Sequence, residues 1–418
     1  MRAPIALLLL VMVAAQTKAQ ETVYSDTVHF GYYMLGEWDA VIAHGKLARN
    51  QGVDHYYLRA RNGYAYYMKG RYMAAAAEFQ KALGFNPYSD HAQTYLLWSQ
   101  QAAGMRSESF LTIRKMPISL RDHLGIQGPK FFDGIAVSGG YRISTGDTLI
   151  GSTPVLALSL SHWLGSRLML EHGVSYMNVE RFYGDAWQVA YLAQLGLQLA
   201  PQWSVKGAFT ANHWGTKRVA TDGATTDSTY TEYGGALSLQ WRTKRISLSG
   251  YGGYLQGGGA ANDSLVNATG AQGEVLEQFF GGMTFGWYPM ANLDLYSFSS
   301  VHYAYFLTRT AQVSARQTIG GRIAKGTWLT ATYTWNRPMF NMMGHQATFA
   351  DNALEPLDRS ASLQALYSPK GRWGISLTYS FEARRIGLPN EAGSPIGAAR
   401  QDASFNYHGL FAGFQLKF

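Results

Sequence analysis

The chain is organised around the extended stretch Arg372 to Ala383, which reads RWGISLTYSFEA. Large apolar or aromatic residues fill every second position from Trp373 onward, and small or polar residues lie between them. A period of two indicates a β-strand with one apolar and one polar face. Such strands occur both in half-buried soluble sheets and in membrane barrels, so the rest of the chain has to distinguish the two.

The same alternation recurs from Phe132 to the C-terminus. Most of these segments approach the roughly 9–11 residues that a tilted strand needs to cross a bilayer. We predict fourteen strands, at residues 132–144, 153–164, 167–181, 187–199, 203–214, 229–241, 245–256, 275–288, 293–306, 311–324, 327–336, 357–368, 372–384 and 405–418.

The predicted connections alternate in length. Those after even-numbered strands are short, whereas several after odd-numbered strands are long and polar or glycine-rich, notably 215–228, 257–274, 337–356 and 385–404. A soluble sandwich gives no reason for such sorting, but a barrel with both termini in the periplasm does. Residues 131–418 are therefore predicted to form a transmembrane antiparallel β-barrel of about 14 strands.

Tryptophans near the strand ends predict an aromatic belt at each membrane interface. They are Trp163, Trp203, Trp241, Trp287, Trp328 and Trp373 near the short turns, and Trp187, Trp214 and Trp335 near the long loops.

Composition and the N-terminus limit the class of protein. The 418 residues include 46 Gly and no Cys, and no apolar run of about 18 residues follows the N-terminus, which excludes a helical membrane protein. Residues 1–19 predict a signal peptide, because Arg2 is followed by the apolar stretch Ile5 to Ala15 and then by Thr17-Lys18-Ala19, with small residues before a cleavage site. The alternative is a buried N-terminal helix. The basic residues are dispersed and do not support nucleic-acid binding.

Residues 20–104 contain an internal repeat with a period of 34 residues. Trp38 recurs as Tyr72, and Ala48 recurs as Ala82. Helices are predicted near residues 25–35, 38–50, 54–68, 72–84 and 90–103.

The second copy of the repeat resembles a tetratricopeptide repeat closely. The matching positions are Gly63, Tyr66, Gly70, Tyr72, Ala75, Phe79, Ala82 and Pro87. The resemblance implies a short α-solenoid that binds a protein partner on its concave face. In this chain that face is expected to contain Tyr57, Arg61, Tyr64, Met68, Tyr95 and Trp98. The alternative interpretation of these aromatic residues is packing between helices.

Residues 105–130 carry several Arg and Lys residues and two Pro without a sustained period. They are predicted to form a basic linker, which either lies across the mouth of the barrel or acts as a loose tether.

The last strand resembles the C-terminal assembly signal of bacterial outer-membrane barrels, with Phe414, Leu416 and Phe418 alternating to the end. This implies recognition by the barrel assembly machinery.

The whole layout resembles the YaiO-type outer-membrane proteins and, more distantly, the exporters of cellulose and poly-N-acetylglucosamine, which carry longer repeat arrays and a larger barrel. It implies an outer-membrane location with the helical domain in the periplasm. Asp-Ser/Thr-apolar triplets at 26–28, 147–149 and 263–265 resemble O-glycosylation sites of Bacteroidota.

Six charged residues are expected to face the barrel interior. They either line a passage for an anionic solute or polymer, or pair across the lumen and close it. The residues are Glu171, Lys206, Glu232, Arg316, Arg322 and Glu382.

No catalytic residue, metal site or cofactor is predicted. Ser161 adjoins His162, and Ser300 lies near His302, but neither pair comes with a recognisable orienting residue. The eleven His show no metal-ligand spacing, and no Gly-rich stretch follows a strand to open a helix.

The leading hypothesis is a non-enzymatic barrel protein, embedded in outer-membrane lipid, whose helical repeat docks a periplasmic or outer-membrane protein. It would act as an accessory component of a secretion, assembly or export complex. The alternative is a porin-like conduit for solute or exopolysaccharide export. An outer-membrane lipid hydrolase that uses the Ser-His pairs is the third hypothesis.

Overall fold

The chain forms two compact units, a helical unit that ends at Leu124 and a β unit that begins at Gly125. The computed structural model describes residues 24–145, 151–180, 185–219, 225–257, 276–306, 309–337, 357–369, 372–387 and 402–418. The predicted signal peptide and the triplets at 147–149 and 263–265 lie outside these residues.

Seven helices make up the described part of the helical unit. They are α1 (Asp26–Leu35), α2 (Trp38–Asn50), α3 (Tyr56–Met68), α4 (Tyr72–Phe85), α5 (Asp90–Ala102), α6 (Arg106–Lys115) and α7 (Ile118–His123). The first five agree with the predicted helices to within two residues at each end. None of the seven is long and apolar enough to cross a membrane.

Each of the first five helices packs on the next, and α3 also contacts α1 and α5. Small residues allow this close approach. Phe79 of α4 is fully buried, and a methyl group on Gly63 of α3 would meet its ring at 3.0 Å. The cost of enlarging a residue at such a contact explains why the sequence has glycine there.

Helices α6 and α7 occupy most of the segment 105–130, for which no secondary structure was predicted, and its role as a linker stays a prediction. Ile113 and Met116 are buried, and the Thr112 hydroxyl donates a hydrogen bond to the Gln100 side-chain oxygen at 2.8 Å. Burial of these two apolar residues anchors a short helix among many charges, and their spacing of three was the signal for it.

A cluster of rings at the start of the helical unit contains a buried histidine. His29 of α1 is fully buried, its ring is stacked on that of His44 with centroids 5.9 Å apart, and Arg61 Nη1 lies 3.5 Å from its Nδ1. Burial, and then the charges of Arg61 and His44, lower the pKa of His29 from 6.5 to about 4. The folded unit therefore holds this imidazole in its neutral form.

This histidine predicts that acid destabilises the helical unit. Below pH 6.5 the unfolded chain binds a proton that folded His29 does not bind until about pH 4. The free energy of unfolding therefore falls as pH decreases through this window, by about 3 kcal/mol in total. We expect hydrogen exchange of α1 and α2 in the full chain, corrected for intrinsic rates, to accelerate from pH 7 to pH 5.

His29→Gln should remove most of this acceleration, and His123→Gln, which changes an exposed residue of α7, should leave it in place. Equal acceleration in wild type and His29→Gln would contradict the assignment.

The β unit is a closed barrel of fourteen antiparallel strands in sequence order, with β14 paired to β1. The strands are β1 (Phe132–Thr145), β2 (Thr153–Leu164), β3 (Leu168–Val179), β4 (Ala186–Ala200), β5 (Trp203–Val219), β6 (Thr225–Arg242), β7 (Ile246–Gly257), β8 (Leu276–Trp287), β9 (Leu295–Phe306), β10 (Arg309–Ala324), β11 (Thr327–Arg337), β12 (Leu357–Tyr367), β13 (Trp373–Gly387) and β14 (Asp402–Lys417).

The strands confirm the predicted closed barrel, but one predicted loop is mostly strand. Strand β5 extends to Val219 and strand β6 begins at Thr225, so the two strands occupy most of the segment 215–228. This segment is rich in threonine, whose branched side chain favours extended backbone. Its lack of an apolar face hid the strand from a search for alternation.

The two ends of the barrel differ in their connections. We call the end where even-numbered strands finish the short-turn end and the opposite end the long-loop end. Gly165 and Gly326 adopt positive φ in tight connections at the short-turn end, a backbone conformation that glycine adopts without strain. The predicted loops 257–274 and 337–356 lie almost wholly outside the described residues.

Side chains alternate between the two faces of the wall as predicted. Leu377 and Leu195 are 53% and 43% exposed on the outer face. Phe414, Leu416 and Phe418 lie on the same face beside β1, where the Phe418 N–H donates to the Asp133 carbonyl at 2.9 Å. Their role as an assembly signal stays a prediction.

Six of the nine tryptophans predicted for the belts lie on the outer face of the wall. The prediction is wrong for the other three. Trp163, Trp214 and Trp328 occupy inward positions of their strands, and the first two are 2% and 1% exposed. Each lies two residues from an inward hydroxyl or amide side chain, so strand parity determines its direction. Proximity to a strand end was therefore an insufficient criterion for a belt residue.

Candidate functional site

All six charged residues predicted inside the barrel lie on the inward face of its wall. Their environments differ along the barrel axis. Glu171 and Arg322 are exposed to the interior, Lys206 and Arg316 are half-buried, and Glu232 and Glu382 are buried.

Charges near the short-turn end lie beside opposite charges. Arg322 Nη2 is 2.9 Å from Asp294 Oδ1, and the charge of Lys206 is attracted by that of Glu171. Both Arg322 and Glu171 are exposed, so such pairs contribute little to stability. The opposite charges do partly cancel each other's field in this part of the interior.

A buried cluster of charges lies nearer the long-loop end. Glu382 Oε2 accepts a hydrogen bond from Arg384 Nε at 2.9 Å, and Arg142 Nη1 lies 3.7 Å from the same oxygen. The Arg384 guanidinium is 5.8 Å from the centre of the Tyr407 ring. All four residues are less than a tenth exposed, and charges at this depth need such partners to stay ionised.

Glu232 forms a second buried group on β6. It is fully buried, and its Oε2 accepts hydrogen bonds from Asn212 Nδ2 and from the Trp214 indole N–H, both at 3.3 Å. The Trp214 ring is stacked on Tyr230, with centroids 6.0 Å apart. The carboxylate thus fixes the orientation of a large aromatic side chain inside the barrel.

An inner apolar layer joins these groups near the long-loop end. It consists of Met177, Val179, Ala186, Trp214 and Tyr407, which pack together and are all at most 5% exposed. Its members come from β3, β4, β5 and β14, and partly buried side chains of β2 and β6 complete it. The interior is therefore packed with side chains along this part of its wall.

The short-turn half of the interior is more open and is lined by hydroxyl and amide groups. Hydrogen bonds connect Tyr296 to Thr330 at 2.8 Å and Thr318 to Thr332 at 3.2 Å, and these four side chains are half-buried. Nearer the long-loop end, Ser314 of β10, Thr334 of β11, and Glu382 and Arg384 of β13 are all buried. Among the described residues, the polar side chains of this part of the inner wall are therefore more exposed near the short-turn end than near the long-loop end.

The predicted face of the helical unit divides into exposed and packed residues. Tyr57, Met68 and Trp98 are 62%, 49% and 37% exposed. Tyr64 and Tyr95 are half-buried and pack edge to face, with centroids 5.1 Å apart. In addition, Arg61 binds Asp26 at 2.7 Å and lies over the Tyr57 ring at 5.7 Å. The packing interpretation therefore applies to Tyr64 and Tyr95, and partner binding through the exposed residues stays a prediction.

The two Ser-His pairs differ in geometry. Ser161 points inward and donates to Asp133 at 3.2 Å, whereas His162 lies on the other face of β2 and contacts His172 at 3.0 Å. Ser300 is hydrogen-bonded to Thr284 at 2.9 Å. Among the described residues, no group of three or more His, Cys, Asp or Glu is placed to hold a metal ion.

Four interior residues were missed in the sequence. Arg384 is two residues from Glu382 and so shares its face, and Tyr407 has the parity of the inward residues of β14. Arg142 and Asp294 join them as partners of the predicted charges. Strand parity could have placed Arg142, Arg384 and Tyr407 inside, but their contacts depend on which strands the closed barrel brings together.

The chain matches no protein-family model and no curated protein. Similar solved structures include the Pseudomonas putida toluene transporter TodX, with 12% identity, a TM-score of 0.42 and coverage of 68% of this chain and 90% of that chain. A Pseudomonas aeruginosa FadL homologue has 11% identity, a TM-score of 0.40 and coverage of 68% and 90%. The CymD monoaromatic hydrocarbon channel has 10% identity, a TM-score of 0.44 and coverage of 76% and 96%. Similarity this low carries no argument about substrate.

Proposed function

We propose that the protein is a bacterial outer-membrane conduit for uncharged polar solutes. The observation that carries this proposal is the chemistry of the inner wall, where hydroxyl and amide side chains predominate and charges such as Arg322 and Asp294 are paired. A wall of this kind replaces water hydrogen bonds of a neutral solute without selecting an ion.

The exterior of the barrel supports a location in the outer membrane. A closed antiparallel barrel pairs the backbone groups of all its strands, as lipid requires. The outer face carries exposed Leu377, Phe414 and Trp335, and bacterial outer membranes contain barrels with an even number of strands. No catalytic step is part of the proposal.

Swelling of proteoliposomes in neutral sugars tests the conduit. Vesicles that contain the full chain should swell in arabinose, and Thr332→Trp should slow swelling several-fold because it narrows the interior. Ala331→Trp, at an exposed position of the outer face, is the matched control and should swell like wild type. Vesicles that stay sealed to arabinose would contradict the proposal.

A second candidate function is docking of a protein partner by the helical unit, placed in the periplasm. Exposed Tyr57, Met68 and Trp98 favour it, because exposed aromatic and methionine side chains recur at binding surfaces. A stoichiometric partner should copurify with the full chain in mild detergent and be lost in Tyr57→Ala/Trp98→Ala. Copurification that survives this double change would contradict docking through these residues.

A further inference from the structure

Within the part of the barrel that the structure describes, three neutral side chains of β7, β8 and β10 have buried polar atoms without a hydrogen-bond partner. They are Tyr251 at its hydroxyl, Gln278 at both amide atoms and Ser314 at its hydroxyl. Gln278 is 2% exposed and Ser314 is fully buried. Because buried polar groups are almost always hydrogen-bonded, these atoms call for partners that the described residues do not supply.

The three side chains border one strip of wall that crosses four strands. Tyr251 is paired with Gly282, Gly282 with His302, and His302 with Ser314, which forms one row from β7 to β10. Gln278 lies four residues from Gly282 on β8, about 13 Å toward the long-loop end. The strip therefore suits an elongated ligand better than a small compact one.

An apolar floor lies between these polar groups. Leu255, Phe280 and Ala304 form a buried cluster against which Tyr251 packs. The Tyr251 hydroxyl lies directly over Gly282, and the Phe280 ring lies over Gly253, where any side chain would collide with them.

The unpartnered groups are uncharged and include both hydrogen-bond donors and acceptors. Hydroxyl groups of a ligand satisfy both kinds, and the aromatic rings of the floor accept the apolar face of a sugar ring. Arg316 lies two residues from Ser314 on β10, toward the short-turn end, and it already interacts with other groups of the protein. An ionised ligand would lose hydration here without gaining a charged partner from the three groups.

We propose that this strip is a binding site for a neutral oligosaccharide. The inference rests on the proposed conduit and specifies its solute. Tyr251, Gln278 and Ser314 hydrogen-bond to the sugar hydroxyls, and Phe280 lies against a ring face.

Blockage of ion current by cellotriose tests the site in the full chain. In planar bilayers, millimolar cellotriose should reduce the current, and Gln278→Leu, Ser314→Ala and Tyr251→Phe should each raise the half-blocking concentration at least fivefold. These changes remove hydrogen-bonding groups with little change in volume. Gln364→Leu, on the inward face of β12 and hydrogen-bonded to Thr378, is the matched control and should leave the half-blocking concentration unchanged.

The outcomes separate the site from the conduit. A conducting barrel that cellotriose does not block, or blocks equally in all three variants, overturns the site and leaves the conduit standing. A non-conducting barrel overturns the conduit, and equilibrium dialysis of cellotriose against the detergent-solubilised chain then decides the site. Binding that is lost in Gln278→Leu supports it, and absence of binding to wild type means that water alone fills the strip.

Discussion

Replacing Leu377 by arginine is expected to destabilise the barrel in lipid by about 2–4 kcal/mol. Leu377 is 53% exposed on the outer face, four residues into β13 from Trp373, and is paired with Ala365 and Ala412. An arginine there exchanges hydration for contact with hydrocarbon. Ser376→Arg, one residue away on the inward face, leaves the guanidinium in water and should change the stability by about 1 kcal/mol or less.

Reversible denaturant titration in phospholipid vesicles measures this difference. Leu195→Arg, on the outer face of β4, should repeat the effect of Leu377→Arg on a distant strand. Equal losses for Leu377→Arg and Ser376→Arg would contradict the assignment of the two faces.

Removing two side chains of the inner apolar layer is expected to raise the ionic conductance several-fold. Trp214 and Tyr407 are its largest members and are 1% and 2% exposed, so their loss empties interior volume near the long-loop end. The double change Trp214→Ala/Tyr407→Ala also deprives Glu232 of the indole donor. The carboxylate that remains should shift the selectivity toward cations.

Single-channel recording in planar bilayers checks this expectation, and heat-modifiable migration on gels confirms that the variant is folded. Trp335→Ala is the matched control, because Trp335 lies on the outer face near the long-loop end of β11 and is 51% exposed. A double variant that conducts like wild type would show that the inner apolar layer does not limit the passage.

Much of the fold follows from the sequence because the side-chain period of a strand is fixed. Segments such as 153–164 alternate so strongly that their bounds were predicted to the residue. The prediction failed where hydrophobicity was weak, as in the threonine-rich 215–228, and where a helix carries many charges and few buried apolar residues, as around Ile113. In both cases backbone preference or a few buried contacts decided the structure, and these leave little periodic signal.

The interior site was predictable in part. Strand parity places residues such as Glu382 inside, but it does not show that Arg142, more than two hundred residues earlier, lies 3.7 Å away. That contact exists because β14 closes the barrel against β1. The packing of Trp214 with Tyr407 depends on the same closure, which explains why the inner apolar layer was missed.

Labelling of single cysteines in β13 tests the central claim most directly, because the chain has no cysteine of its own. Cysteines at Ser376, Leu377, Thr378 and Tyr379 are treated in proteoliposomes with a charged, water-soluble maleimide. A lipid-embedded barrel with a wet interior predicts fast labelling at 376 and 378 and protection at 377 and 379. Uniform labelling, or protection at 376 and 378, would contradict it.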